Sequence, residues 1–370
     1  MDKRSAAQVF LGVLAAMAAC ALVSCAKPPL VVGFVGPMTG PSAAVGIECH
    51  QGFGLAVAEI NRAGGVGGRL IETVVADDAA TPEESRRAVE ELLARGIRII
   101  VLNTTSGASE GVLDWITLEN ALVVSQTVSS PLWEDRDDAF IRFVSSSDRF
   151  SAPLGLFAET LGVRSVAVIE DRRNAAYASS MAAGFLGAAP SIRFLDRRVV
   201  DVGMDHAGLA AWVASSGADA CFAVLNGLDA AKLAQALERA GYGGWLLLSP
   251  WSEDQNLLTY AGAFSDRIYL TTFFDRDSQA PTYRKFVYDY EAVYGRLPAV
   301  YGCFGYECAR FLFEGVAHSR SDSPADVKKA LLDLGSFKGL QETVTLDAEG
   351  DATVSSLVIT IQDGSFSAAR

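Results

Sequence analysis

Residues 31–82 read VVGFVGPMTGPSAAVGIECHQGFGLAVAEINRAGGVGGRLIETVVADDAATP. Val31–Val35 is an apolar run interrupted by Gly33, the pattern of a strand buried on both faces. Gly36-Pro37-Met38-Thr39-Gly40-Pro41 then supplies the residues of tight turns. Phe53, Ala56, Val57 and Ile60 recur at helical spacing on one face. Asn61 with Gly64, Gly65, Gly67 and Gly68 ends that helix and turns the chain back. Leu70–Ala76 gives a second strand, closed by Asp77-Asp78. Two parallel strands joined by a helix make a right-handed βαβ unit. Its ligand-binding loops belong at the C-terminal ends of the strands.

The rest of the composition agrees with a large α/β protein. At 370 residues the chain exceeds the size at which one core stops growing, so two lobes are expected. Half the residues are hydrophobic and 20% are charged, enough apolar material for packed cores and against disorder. The formal net charge is -13, and no basic cluster exceeds pairs such as Arg86-Arg87 and Arg197-Arg198, so nucleic acid is excluded as a partner.

The N-terminus is a separate signal. Lys3 and Arg4 precede an apolar run, Val9–Ala21, that is too short to span a bilayer. Leu22-Val23-Ser24-Cys25 follows and resembles the bacterial lipobox, so residues 1–24 read as a signal peptide and Cys25 as the lipid-modified first residue of the mature chain. An ordinary export signal with an incidental cysteine is the alternative. Cys49, Cys221, Cys303 and Cys308 remain. They form no paired CxxC pattern, and His50, His206 and His318 are scattered, so buried free thiols are expected and no metal. Cys303 and Cys308, five apart on one helix, face away from each other.

Beyond the opening, strand and helix signals alternate. Thr81-Pro82-Glu83-Glu84 is a capping box with proline at the first helical position. After a third strand, Ile97–Leu102, the hydroxyl-rich loop Asn103–Ser109 opens a helix expected to run to about Glu119. Free backbone N–H groups, the positive helix end and hydroxyl donors make such a loop an anion site. N-capping by Ser106 or Ser109 is the structural alternative. Gly107-Ala108-Ser109-Glu110-Gly111 also fits G-x-S-x-G, which would make Ser109 a hydrolase nucleophile, but neither His206 nor His318 sits in a matching motif. Leu122–Ser125 is a fourth strand, with Gln126–Trp133 as its exit loop. Phe140–Val144, Thr271–Phe274 and Leu346–Gly350 are expected to cross between lobes. The second lobe takes strands at Ser165–Glu170, Ile192–Val200, Ala220–Leu225, Trp245–Ser249 and, last, Thr353–Gln362.

GPMTGP, AVAEINRAGGVGGRLIE and VVADDAATP closely resemble the opening of type I periplasmic solute-binding proteins, in the leucine/isoleucine/valine-binding branch that feeds ABC importers. The similarity continues more thinly to about residue 350. The resemblance implies two doubly wound parallel-sheet α/β lobes joined by three crossover strands, residues 28–143 plus 273–349 and residues 144–272 plus 350–370. It implies a small amino acid-like ligand between the lobes, an ABC permease in the membrane as partner, an extracytoplasmic protein anchored through Cys25, a monomer, no cofactor and no enzymatic activity. A sensory accessory built on the same fold is the rival. By the same resemblance Ser106 would hold the ligand's carboxylate, with Thr127 and Ser129 on the second loop. Tyr177 would pack on the ligand, although the loop is longer here and Ala178 replaces the usual glycine. Asn226 and Tyr301 fall at further cleft positions. Trp251 stands where relatives place the glutamate that pairs with a ligand's ammonium. An unpaired ammonium is costly to bury. Glu253 or Asp254 would have to reach in, Trp251 would have to hold a cation on its face, or the ligand has no ammonium. The disulfide common in such relatives falls on Ala80 and Thr105 and is absent.

Overall fold

The computed structural model describes residues 27–369, so the signal peptide and Cys25 lie outside the described residues. The chain opens with β1 (Leu30–Gly36), α1 (Ala43–Arg62), β2 (Ile71–Asp77), α2 (Pro82–Ala94), β3 (Ile99–Leu102), α3 (Ser106–Leu113), β4 (Leu122–Ser125) and β5 (Phe140–Arg142). These five strands form one parallel sheet in the order β2-β1-β3-β4-β5. Gly33 lets α2 lie close on β1, since a Cβ there would come within 2.6 Å of the Leu92 side chain. Thr81 caps α2 by accepting the Glu84 N–H at 3.3 Å, with Pro82 in the first turn. The helix expected to reach Glu119 stops at Leu113. A 3-10 turn, Ile116–Glu119, follows and ends on Asn120 at φ 50°.

The second lobe begins with α4 (Ser147–Thr160), β6 (Ser165–Asp171), α5 (Ala175–Ala188), β7 (Arg193–Val200), α6 (His206–Ser216), β8 (Ala220–Val224), α7 (Gly227–Arg239), β9 (Trp245–Leu248), α8 (Gln255–Tyr260) and β10 (Ile268–Thr272). The chain then returns to the first lobe as α9 (Pro281–Tyr294), α10 (Val300–His318) and α11 (Pro324–Leu334). A small antiparallel sheet follows, made of β11 (Ser336–Lys338), β12 (Thr343–Leu346) and β13 (Ala352–Thr353). Finally β14 (Leu357–Gln362) and β15 (Ser365–Ala368) complete a seven-stranded sheet in the order β15-β14-β10-β9-β8-β6-β7. The single last strand expected over Thr353–Gln362 is therefore two. Ala352–Thr353 pairs with β12, and only Leu357–Gln362 joins the large sheet, antiparallel to β10. Asp363 and Gly364, at φ 50° and 72°, make the two-residue turn that folds β15 back on β14.

The chain passes between the two large sheets after β5, after β10 and between β13 and β14. Arg142, at the end of β5, is wholly buried at the first of these passages. Its Nε donates to Asp351 at 2.7 Å and its guanidinium to the Ser130 carbonyl at 2.8 Å. One side chain thus ties the first passage to Asp351, just ahead of β13, and to the loop that follows β4. Among the described residues no helix is long and apolar enough to cross a membrane.

Candidate ligand-binding cleft

The loops at the C-terminal ends of β3, β4, β6 and β9 converge between the lobes on a cavity of about 40 Å³. The first lobe contributes Thr104, Thr105, Ser106, Gln126, Thr127 and Ser129 from these loops, with Val45 of α1 and Tyr301 and Phe304 of α10. The second lobe contributes Phe150, Asn174, Tyr177, Pro250 and Trp251, and the passages between lobes add Val144 and Phe273. None of these lining residues is Asp, Glu, Lys, Arg or His. The wall is aromatic: Phe150 and Phe273 meet edge to face at 4.9 Å, Phe273 and Phe304 lie 5.1 Å apart, and Tyr177 faces Trp251 edge-on at 6.3 Å.

Ser106 opens α3, but Thr105 caps it, accepting the Ala108 N–H at 3.2 Å. The capping expected of Ser106 or Ser109 belongs to Thr105 because only the residue before the first turn has the extended backbone a cap requires. The Ser106 hydroxyl oxygen instead accepts the backbone N–H groups of Ser129 at 3.1 Å and Ser130 at 3.2 Å. With its oxygen so occupied, its own proton is left to donate. Thr127 donates to the Thr104 carbonyl at 2.8 Å, which joins the same two loops.

Several contacts cross between the lobes near the cleft. The Gly107 N–H, at the positive end of α3, donates to Asn174 Oδ1 at 2.9 Å. Gly107 has to be glycine at this approach, because a Cβ would stand 2.7 Å from the Arg173 carbonyl oxygen. The Tyr301 hydroxyl donates to the Pro250 carbonyl at 3.1 Å, and Arg276 pairs with Glu253 at 3.1 Å. Burial pushes the Tyr177 and Tyr301 phenols above their ordinary range, so both are neutral donors. Trp251 is 5% exposed, and its Nε1–H has no partner.

Six of the eight expected residues, Ser106, Thr127, Ser129, Tyr177, Trp251 and Tyr301, line this cavity. Asn226 and Glu253 do not. Asn226 caps α7, accepting the Asp229 N–H at 3.0 Å while its amide nitrogen donates to Asp229 Oδ2 at 2.7 Å. Glu253 is fully buried against Arg276. Burial holds its carboxyl above the ordinary range, and Arg276 offsets only part of that rise. Asp254 caps α8 through the Asn256 and Leu257 N–H groups at 2.8 and 3.1 Å, and faces a separate crevice with Glu48, Arg276 and Arg296. Phe150, Asn174, Phe273 and Phe304 line the cavity without having stood out in the sequence. Their helical or loop spacing is that of ordinary core, and only the folding of two lobes onto one another brings them together.

The Ser109 hydroxyl is buried and donates to the Ser106 carbonyl at 2.6 Å. His206 lies 3.3 Å from Asp229, and His318 is bonded to the Glu314 carbonyl of its own helix. Cys49, Cys221, Cys303 and Cys308 are buried and unpaired.

A profile of the periplasmic binding protein family matches residues 29–364. A Leu/Ile/Val-binding protein homolog of Brucella abortus is 24% identical over 352 residues, 92% of this chain and 93% of that one. A Leu/Ile/Val-binding protein of Rhizobium johnstonii is 34% identical over 115 residues, 31% of each chain. For three such relatives the matched stretch spans between 31% and 43% of their length. The crystal structure of a leucine-binding protein from Thermotoga maritima superimposes with a TM-score of 0.85 at 20% identity, over 92% of this chain and 98% of that one. A solute-binding protein of R. palustris in complex with benzoate does so with a TM-score of 0.83 at 19% identity, over 92% and 95%. The profile leaves out only the two ends of the chain and the solved structures repeat its two-lobed architecture, so the chain belongs to the periplasmic binding protein family, a family of solute binders and not of enzymes.

Proposed function

We propose that this protein is the extracytoplasmic solute-binding component of an ABC importer and that its ligand is a small carboxylate with an apolar or aromatic body and no ammonium group. The carrying observation is the lining of the cleft: hydroxyls, one amide pair and aromatic rings, with no charged side chain among them. A carboxylate suits this wall. The Ser106 hydroxyl proton and the Trp251 Nε1–H belong to lining residues and are donors without an acceptor, and the positive end of α3 beside them favours an anion. An ammonium would be buried without a counter-charge, because Glu253 is committed to Arg276 and Asp254 faces another crevice. Benzoate in the R. palustris protein is a ligand of this chemistry. The second reading, a branched-chain amino acid, is favoured by the names of the Brucella and Rhizobium relatives.

The ligand touches both lobes and thereby favours the closed state, which then docks on a membrane permease. A thermal-shift panel on residues 26–370 tests the reading with leucine, isocaproate, phenylacetate and benzoate. A ligand at a hundredfold its Kd adds about 2.7 kcal/mol to stability. The expected hits are the acids without an amine, and stabilisation by leucine alone would replace this reading with the second. The membrane anchor is part of the same proposal. Cys25→Ala should leave the exported chain without acyl chains by mass spectrometry, and an acylated variant would discard the anchor.

A further inference from the structure

Gln126 lies on the wall of the cleft beside Thr127, and its Oε1 is buried without a hydrogen-bond partner. Its other amide atom is committed. Nε2 donates at 2.7 Å to Oε2 of Glu307, a fully buried residue in the middle of α10. The second oxygen of Glu307 accepts the backbone N–H of Leu340, in the turn between β11 and β12. A carboxylate only accepts hydrogen bonds, so the nitrogen of Gln126 has to face Glu307 and its oxygen has to face away. The surroundings hold Glu307 in place. A Cβ on Gly339 would stand 2.6 Å from Glu307 Oε1, so no larger residue fits beside it.

We propose that Gln126 is a specificity-determining residue of the cleft. Anchored by Glu307, it presents Oε1 as a fixed acceptor, and a ligand has to bring a hydroxyl or neutral N–H to it in addition to its carboxylate. The inference rests on the reading that a small carboxylate occupies the cleft. A ligand with a C–H in that place leaves a buried acceptor unpaired, and sites built around a hydrogen bond reject analogues that cannot make it.

The test is calorimetric titration of the protein with two series of probes, isocaproate against 2-hydroxyisocaproate, and benzoate against 2-, 3- and 4-hydroxybenzoate. Burial pushes Glu307 up to about 7, so the titrations are run at pH 8, where it is the carboxylate. In whichever series binds, one hydroxylated member should bind at least tenfold tighter than its parent acid. Gln126→Leu should erase that preference. Glu307→Gln, whose own amide can donate to Gln126 and free it to turn, should reduce the preference without loss of the fold by circular dichroism. Equal binding of parent and hydroxylated acids, or a preference that survives in Gln126→Leu, would overturn the inference and leave the carboxylate reading standing. If no acid of either series binds, both fall together.

Discussion

Ser106 has two duties in this structure, and they predict a compound phenotype. Its oxygen accepts two backbone N–H groups of the loop after β4, and its proton is free to meet a ligand's carboxylate. Ser106→Ala should weaken ligand binding by roughly 1–3 kcal/mol, and it should also lower stability because two N–H donors lose their partner. Calorimetry and denaturant unfolding separate the two effects. Unchanged affinity with reduced stability would leave Ser106 as a loop tie alone. Trp251 illustrates the same point differently. The family resemblance marks the position, but its meaning comes from what surrounds it: a ring packed edge-on against Tyr177 and an indole N–H with nothing to bond.

At the scale of elements, the lobes depend on close approaches that glycines permit. α1 and α10 pack side by side, and a Cβ on Gly305 would fall 1.8 Å from the Cys49 carbonyl oxygen; one on Gly52 would fall 1.9 Å from that of Gly302. Glycine inside a helix costs about 1 kcal/mol of propensity relative to alanine. The overlap with backbone atoms outweighs it, since a carbonyl cannot rotate away as a side chain can. Gly305→Ala should therefore destabilise the protein by about 1–3 kcal/mol despite better helix propensity, read from urea unfolding. A neutral or stabilising result would show that the helices separate freely. The same packing carries Val45 of α1 and Tyr301 and Phe304 of α10 to one side of the cleft.

At the scale of the whole molecule, the lobes close over charged groups that sit outside the ligand cavity. Glu48 pairs with Arg296 at 2.6 Å, and one of its oxygens is buried without a partner. Burial raises its carboxyl from the ordinary 4.5 to about 7 against the pull of Arg296. Asp254, across the crevice in the second lobe, adds to the rise. A folded-state pKa above the unfolded value means that the native protein holds this proton more tightly. The contribution is therefore fully present below about pH 4.5 and is lost as the pH climbs through about 7. Between pH 5 and pH 8 the melting temperature of the wild type should fall more than that of Glu48→Gln, measured by differential scanning fluorimetry. Parallel curves would mean that Glu48 titrates alike in both states.

Much of this protein was legible in its residues alone. The βαβ opening, the Thr81-Pro82 helix start, the parallel pairing of the first two strands and the hydroxyl loops after β3 and β4 follow from local periodicity and turn chemistry, which act over a few residues. Where α3 stops and where the last strand divides were not legible. The first boundary depends on a 3-10 turn that ends on Asn120, and the second on Val354 and Ser355, whose N–H groups go to the side chains of Ser145 and Glu342, partners distant in the chain. The cleft was half legible. Loop positions after strands pointed to Ser106 and Ser129, whereas Asn226 and Glu253 share that placement and are taken up by a helix cap and an ion pair. Only tertiary structure decided that the cavity has no charged wall, that Asn174 reaches Gly107 across it, and that Glu307, 181 positions from Gln126 in the chain, fixes which way that amide points. Periodicity records which face of an element is buried. It does not record what lies on the other side of the burial, and that opposing surface sets the chemistry of a site between two lobes.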